Sequence, residues 1–312
     1  MKIAILGAWH VHAPGYTDCA MKYGEVVGVY DENPAFAQGL ADAKGIRRFS
    51  SREELLASEA EAVIVCSSTD RHAGDIVAAA EKGKHIFTEK VLALTEEECA
   101  RVKSAVEKAG VRFVISYPHK SMAGPRTVKA AVDEGKIGKV NFFRYRNCHG
   151  GSVQHWLPAH FYNEAQCGGG AMIDLGAHGM YLAHWFLGMP ESYRSIFTHF
   201  CRDEKDALLN PAGLEDNAVT LMSYPSGAIA VNETGFVSVG SPQTLEVGGD
   251  RGYLLWDGKT VTLRTDKSAE ILPLLPDLPS PCDAFCSGAP IDFCGVDDAI
   301  ALTKMMRGAY RK

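Results

Sequence analysis

Five short apolar runs dominate the first 117 residues, each closed by a polar or glycine-containing turn and most followed by a helix-forming stretch. They read KIAILG, EVVGVYD, EAVIVCSS, KHIFTEK and VRFVISY. Their valines and isoleucines are nearly continuous rather than alternating with polar residues. A strand of that kind is covered on both faces, which requires a parallel sheet with helices on each side. The intervening segments have helix punctuation. In NPAFAQGLADAKG, Asn33 suits the N-cap, Pro34 the first helical position and Gly45 the C-terminal stop. DRHAGDIVAAAEKG and TEEECARVKSAVEKAG read the same way. The expectation is a doubly wound α/β unit.

After residue 120 the pattern changes. NFFRYRN, AVTLMSY, GAIAVNETGF, TLEVGGD, GYLLWD and TVTLRT read as strands joined by short turns, the mark of a mostly antiparallel sheet. One strongly helical stretch, AMIDLGAHGMYLAHWFLG, sits among them. A proline-rich link, LPLLPDLPSPC, leads to a final helix, GVDDAIALTKMMRGAYRK. The predicted fold is an N-terminal Rossmann-type doubly wound parallel sheet, residues 1–120, and a C-terminal α+β domain, residues 121–312, with a large, mostly antiparallel sheet. The C-terminal helix is expected to pack back on the first domain.

Charge excludes one class of partner. With 32 Lys and Arg against 38 Asp and Glu, the formal net charge is −6, and the basic residues are scattered. A phosphate-neutralising nucleic-acid surface is not expected. No apolar run approaches the roughly 20 residues of a membrane span, and MKIAILGAW lacks the length and cleavage site of a signal peptide. The nine cysteines are dispersed, and their spacing to one another and to histidine fits no zinc motif. Reduced thiols, no metal and a cytoplasmic location are expected.

The turn after the first strand, GAWHVH, stands where a dinucleotide-binding loop carries G-x-G-x-x-G. Gly7 is present; Trp9 and His12 replace the second and third glycines. Those glycines let the backbone approach the pyrophosphate and the helix pack on the strand, so the loop is rebuilt. A helix N-terminus with unpaired N–H groups is still expected to attract an anion. Asp31 ends the second strand at the spacing expected of the carboxylate that binds the adenosine ribose diol; the alternative is a helix-capping Asp. An acidic residue there favours NAD over NADP. His10 and His12 add charge near the phosphates, face the substrate, or simply pack.

Three segments, VIVCSSTDRHAGDIVAAAEKGKHIFTEKVLALTEEECARV, GGGAMIDLGAHGMYLAHWFLG and LEDNAVTLMSYPSGAIAVNETG, resemble in order the motifs of the glucose–fructose oxidoreductase, inositol dehydrogenase and rhizopine-catabolism family (Gfo/Idh/MocA). The likeness implies an NAD(P)-dependent oxidoreductase acting on a secondary hydroxyl of a sugar, inositol or related polyol. It also implies an open sheet in the second domain through which a homodimer or homotetramer forms. Lys90 matches the lysine of E-K-P, with Val91 in place of the proline. Asp174 and His178 match the family's active-site pair, and their i,i+4 spacing puts them on one helical face. By the same likeness Gly7, Trp9, His10, Val11 and Asp31 contact the cofactor, together with Ser67, Thr69, His72, Glu89 and Lys90.

Where the family has N-x-R-F, this chain reads YPHK, which makes Tyr117 and His119 substrate candidates. His155, Trp156 and His160, from the polar–aromatic stretch before the helix, extend the substrate wall, and His149 lies in the same stretch. His178 is the expected base, with Lys90 stabilising the alkoxide and Asp174 orienting; the alternative makes Lys90 the base. Two other functions fit the same motifs: a redox-cycling, NAD-dependent glycosidase and a non-catalytic NAD-binding sensor.

Overall fold

Why the apolar runs must be strands is clear from their surroundings in the computed structural model, which describes residues 1–311. Strands β1 (Lys2–Leu6), β2 (Glu25–Tyr30), β3 (Ala62–Val65), β4 (His85–Thr88) and β5 (Phe113–Ile115) form one sheet in the order β2-β1-β3-β4-β5. Every pairing is parallel. Ile3, Ile5, Val63, Ile64 and Val65 are completely buried, and each contributes roughly 1.5–3 kcal/mol by leaving water. The chain reverses direction across the sheet between β1 and β3, so the crevice beyond their carboxyl ends is where such a fold binds ligands. The helices between strands end as their sequences direct. The Asn33 side chain accepts the Ala35 N–H at 3.0 Å, Gly45 stops that helix at φ 64°, and Thr95 and Glu98 form a capping box.

By residue contacts the chain separates into two units. The first comprises Met1–Ser116 with Pro279–Thr303; the second comprises Tyr117–Leu278 and the chain from Lys304 onward. The first unit thus takes in residues 279–303, which a single cut at residue 120 leaves with the second.

The second unit is built on eight strands: β6 (Val140–Cys148), β7 (Ser192–Thr198), β8 (Asn217–Ser223), β9 (Ile229–Gly235), β10 (Thr244–Gly249), β11 (Tyr253–Trp256), β12 (Val261–Arg264) and β13 (Ala269–Leu272). Their order is β13-β12-β11-β10-β6-β9-β8-β7, antiparallel except for β6 with β9. Register explains the two faces. Met222, Ala230, Phe143, Val247, Leu254 and Leu263 lie side by side across six strands, and all are buried. One residue further along, Arg194, Leu221, Val231, Arg144, Glu246, Leu255, Thr262 and Ile271 form the row on the opposite face. There Leu221 and Ile271 are 46% and 68% exposed. The helix Gly176–Leu187 packs on the inner face, with Phe186 against Phe143 and the Asn232 side chain donating to the Gly176 carbonyl at 2.8 Å.

Two strands, β7 and β13, were not among the six expected. Both are sheet edges, half solvated, so neither shows a sustained apolar run. The single helix expected over AMIDLGAHGMYLAHWFLG is instead two, Ala171–Asp174 and Gly176–Leu187. At the break the His178 N–H bonds to the Leu175 carbonyl, one residue short of α-helical register. No helix among the described residues is long and apolar enough to cross a membrane.

Candidate active site

In the first unit the site is assembled at the carboxyl ends of β1, β3 and β4. Gly7 follows β1 with φ 95°, and a Cβ there would lie 2.1 Å from the Ser67 backbone N and 2.5 Å from its Cα. Only glycine fits, because the turns after β1 and β3 touch through their backbones. Trp9, at the second glycine position, is largely buried, whereas Val11 at the crest of the loop is 48% exposed.

The amides differ from expectation. Gly7 N–H donates to the Tyr30 carbonyl, Ala8 to Asp31, His10 to the Cys66 carbonyl, His12 to His10 Nδ1, and Ala13 to the His10 carbonyl. Holding a bulky loop in place uses N–H groups that a glycine loop leaves for an anion. The helix Ala13–Tyr23 that follows also has Pro14 in its first turn, which removes another donor.

Asp31 is nearly buried. Its two carboxylate oxygens accept the Ala8 N–H at 2.6 Å and the Asn33 N–H at 2.7 Å. Burial pushes its pKa up, and these two amides oppose that. The carboxylate therefore joins the end of β2 to the loop after β1, and each oxygen keeps a lone pair.

Glu89, fully buried after β4, organises the rest. Its Oε1 lies 2.7 Å from His12 Nδ1, 3.9 Å from His10 Nδ1 and within hydrogen-bond reach of the Tyr16 hydroxyl, which also meets Ser116 Oγ at 2.7 Å. Its Oε2 accepts the Lys90 backbone N–H at 3.0 Å. Burial works to raise the Glu89 pKa, but His10, His12 and Lys90 outweigh it and hold the carboxyl well below its ordinary value. Lys90 is 5% exposed, and the Lys90–Val91 peptide is cis. His72 is buried with Nδ1 2.7 Å from the Val91 carbonyl and Nε2 3.0 Å from the Ser67 carbonyl, a tie between the turns after β3 and β4. Ser67 donates its hydroxyl to Asp75 at 2.7 Å, and Thr69 opens the helix Thr69–Glu81.

In the second unit, Tyr117, His119 and His178 come together around Tyr181, a residue not expected from the sequence. Tyr181 stacks on Tyr117 with centroids 4.3 Å apart; its hydroxyl accepts the His119 backbone N–H at 3.1 Å and meets His178 Nδ1 at 2.8 Å. The His119 and His178 rings stack at 4.1 Å. Tyr145, inward-facing on β6, bonds His119 Nδ1 at 2.7 Å and accepts from Gln243 at 2.7 Å. Burial holds the Tyr145 pKa well above its ordinary value, so it stays a neutral phenol. Asp174, half-buried at the helix break, acts on His149: burial lowers the imidazole's pKa and the Asp174 charge opposes it. His149 lies between Phe236 and Trp156, at 5.0 and 4.6 Å.

The other two candidates have different surroundings. His155, at φ 54°, faces Asp203 at 3.2 Å, and His160 lies beside Phe161. Tyr181 was open to inference, since it follows His178 by three residues on one helical side. Tyr145 and Gln243 carried no local signal.

A parallel sheet in this strand order, with its crevice beyond β1 and β3, defines a doubly wound ligand-binding unit. Comparison with known proteins takes the assignment further. Residues 1–117 match the model of the oxidoreductase family with an NAD-binding Rossmann fold, and residues 126–255 match the GFO/IDH/MocA C-terminal domain. The chain belongs to the GFO/IDH/MocA family of oxidoreductases. It is 27% identical to the 1,5-anhydro-D-fructose reductase of Ensifer adhaerens over 81% of this chain and 76% of that protein. It is 29% identical to the myo-inositol 2-dehydrogenase of Thermotoga maritima over 67% of this chain and 61% of that one. An oxidoreductase from Agrobacterium radiobacter, solved with NAD+, L-tartaric acid and magnesium, superposes with a TM-score of 0.79 at 17% identity, covering 99% of this chain and 95% of that one.

Proposed function

We propose that the protein interconverts a secondary alcohol and a ketone on a sugar, inositol or related ring polyol, with NAD as its cofactor. The names of the two relatives, both for cyclic polyhydroxyl compounds, support the substrate class. The observation that carries the proposal is the paired imidazoles of His119 and His178, oriented by the Tyr181 and Tyr145 hydroxyls. They form a nearly buried hydrogen-bonding surface suited to hydroxyl groups.

The residues fit the dinucleotide. Gly7 keeps the crevice between β1 and β3 narrow, Asp31 is on this reading the partner of the ribose diol and its charge disfavours a 2′-phosphate, and His12 and Val11 stand exposed on the loop with His10 buried beneath. A nicotinamide held there would supply hydride exchange with the carbinol carbon. His178 takes the hydroxyl proton at Nε2. For that, Nδ1–H donates to the Tyr181 oxygen, whose two lone pairs accept both this group and the His119 amide. Lys90 lowers the pKa of the hydroxyl, and Asp174 orients substrate or imidazole.

The rest of the reading is assembly and place. The open sheet face, with Ile196, Ile229 and Ile271 more than half exposed, suits a homodimer or homotetramer. The nine cysteines, all present as thiols, suit a reducing cytoplasm.

The experiment is a spectrophotometric screen: protein, NAD+ and a panel of inositols, anhydrohexitols and glucosides, followed at the reduced-nicotinamide band. Stoichiometric reduced cofactor with a ring polyol, its rate falling about 10²–10⁴-fold in His178→Ala, supports the proposal. Free sugar released from a glucoside without net reduced cofactor points to redox-cycling hydrolysis instead. NAD binding with no turnover of any polyol rejects the assignment of His178.

A further inference from the structure

In the first unit Cys19 meets two cysteines from near the other end of the sequence. Cys19 lies on the helix Ala13–Tyr23; Cys282 and Cys286 lie one turn apart on the helix Pro281–Ser287. The Sγ atoms of Cys282 and Cys286 are 3.9 Å apart, and all three Sγ atoms lie within 4.8 Å of one another. Cys282 and Cys286 are buried, and Cys19 is half-buried.

A disulfide does not account for the pair on the short helix. Neighbours at i,i+4 keep their Cβ atoms about 5–6 Å apart, whereas a disulfide needs about 3.5–4.5 Å. A metal ion does match the spacing. With metal–sulfur bonds of about 2.3 Å, two sulfurs of one ion are about 3.8 Å apart in tetrahedral and about 4.0 Å apart in trigonal geometry.

The charges agree. Arg112 stands beside the cluster, donating to the Ala284 carbonyl at 3.2 Å and, with Cys286, lining an open cavity of about 420 Å³. Its positive charge offsets the excess negative charge that three thiolates leave around a divalent ion, and the cavity gives an ion a way in. Asp283 is occupied elsewhere, by Tyr23, Lys22 and Ser280, which leaves sulfur as the donor set.

We infer that Cys19, Cys282 and Cys286 form a three-thiolate site for a soft cation of the Zn²⁺, Cd²⁺ or Cu⁺ class. The ion binds through three metal–sulfur bonds, and the thiol protons it displaces pass to the buffer. It joins the helix that follows the dinucleotide loop to the helix Pro281–Ser287.

The test titrates the reduced full-length protein with Cd²⁺ and follows the thiolate-to-metal charge-transfer absorbance, proton release and the unfolding midpoint. One equivalent bound, protons released with it and a raised midpoint are expected. Cys19→Ser, at the most exposed and least structural of the three positions, should weaken binding about 100-fold or more. Cys294→Ser, on a cysteine outside the cluster, should leave it unchanged. Absence of stoichiometric binding overturns the site, as does equal binding by Cys19→Ser with its circular dichroism intact. Rapid formation of a Cys19 disulfide under mild oxidation, with no Cd²⁺ bound by the reduced form, overturns it in favour of a redox pair.

Discussion

Replacing Gly7 by Ala perturbs the contact that makes the β1–β3 crevice. Two costs add. At φ 95° an L-residue is in left-handed territory, at roughly 1–2 kcal/mol. The new Cβ would also lie 2.1, 2.5 and 2.6 Å from backbone atoms of Ser67 and Cys66, none of them a movable side-chain tip. Relieving such overlap by backbone shifts costs typically about 1–3 kcal/mol. The sum is roughly 2–5 kcal/mol, or a fall of roughly 5–20 °C in the melting of a unit of about 140 residues. Gly74→Ala supplies the contrast. Gly74 lies inside the helix Thr69–Glu81, and a methyl group there would have no neighbour within 4 Å, so alanine should stabilise by about 0.5–1 kcal/mol. Urea unfolding followed by circular dichroism gives both values, and NAD calorimetry on Gly7→Ala should show lost affinity because the two turns have been pushed apart. If Gly7→Ala unfolds within about 1 kcal/mol of the parent and binds NAD normally, the backbone contact does not define the crevice.

Two further expectations come from buried carboxylates. Asp31→Ala should weaken NAD binding by roughly 1–3 kcal/mol and NADP binding less, by calorimetry; equal losses would mean that Asp31 serves only the Ala8 and Asn33 amides. Glu215, whose Oε1 accepts the Gly170 and Met172 N–H groups and the Tyr310 hydroxyl, has its pKa raised by burial. A folded pKa above the unfolded one means its favourable term is present below the unfolded pKa and is lost as pH rises through the folded pKa. Glu215→Gln, which keeps an acceptor without the charge, should therefore gain on the parent across that rise, while Glu215→Ala loses about 1–3 kcal/mol throughout in urea titrations.

Local sequence carried the parallel sheet because each of its strands is buried on both faces and so announces itself as a continuous apolar run. It carried the middle of the second sheet but not its edges, where Tyr193, Ser195 and Phe197 of β7 alternate with exposed neighbours on a strand that has one partner. The break at Leu175 had no local signature either, since the Asn232 side chain that takes the Gly176 carbonyl comes from β9, 56 residues away. At the site, the positions of Gly7 and Asp31 were legible from spacing because the turn after β1 and the end of β2 fix them. Glu89 could be named only through resemblance; its partners His12 and Tyr16 stand 77 and 73 residues earlier, and contacts of that reach are fixed by topology. The cysteine cluster is the extreme case, with ligands on helices at opposite ends of the sequence.

The substitutions in the β1 loop carry one more consequence. A loop of glycines holds a pyrophosphate with amides, which do not titrate. Here the amides of Gly7, Ala8, His10, His12 and Ala13 are bonded within the protein, and two imidazoles stand in their place, coupled to a Glu89 carboxylate that keeps its charge. His12→Gln, which removes the imidazole that meets Glu89 Oε1 at 2.7 Å, should therefore weaken dinucleotide binding without unfolding the unit, because His12 is exposed at 52% of its side chain. Calorimetric dissociation constants for NAD in parent and variant measure the loss. Equal constants would show that the His12 imidazole contributes nothing to holding the phosphates, and that the loop binds through its crest and the helix behind it.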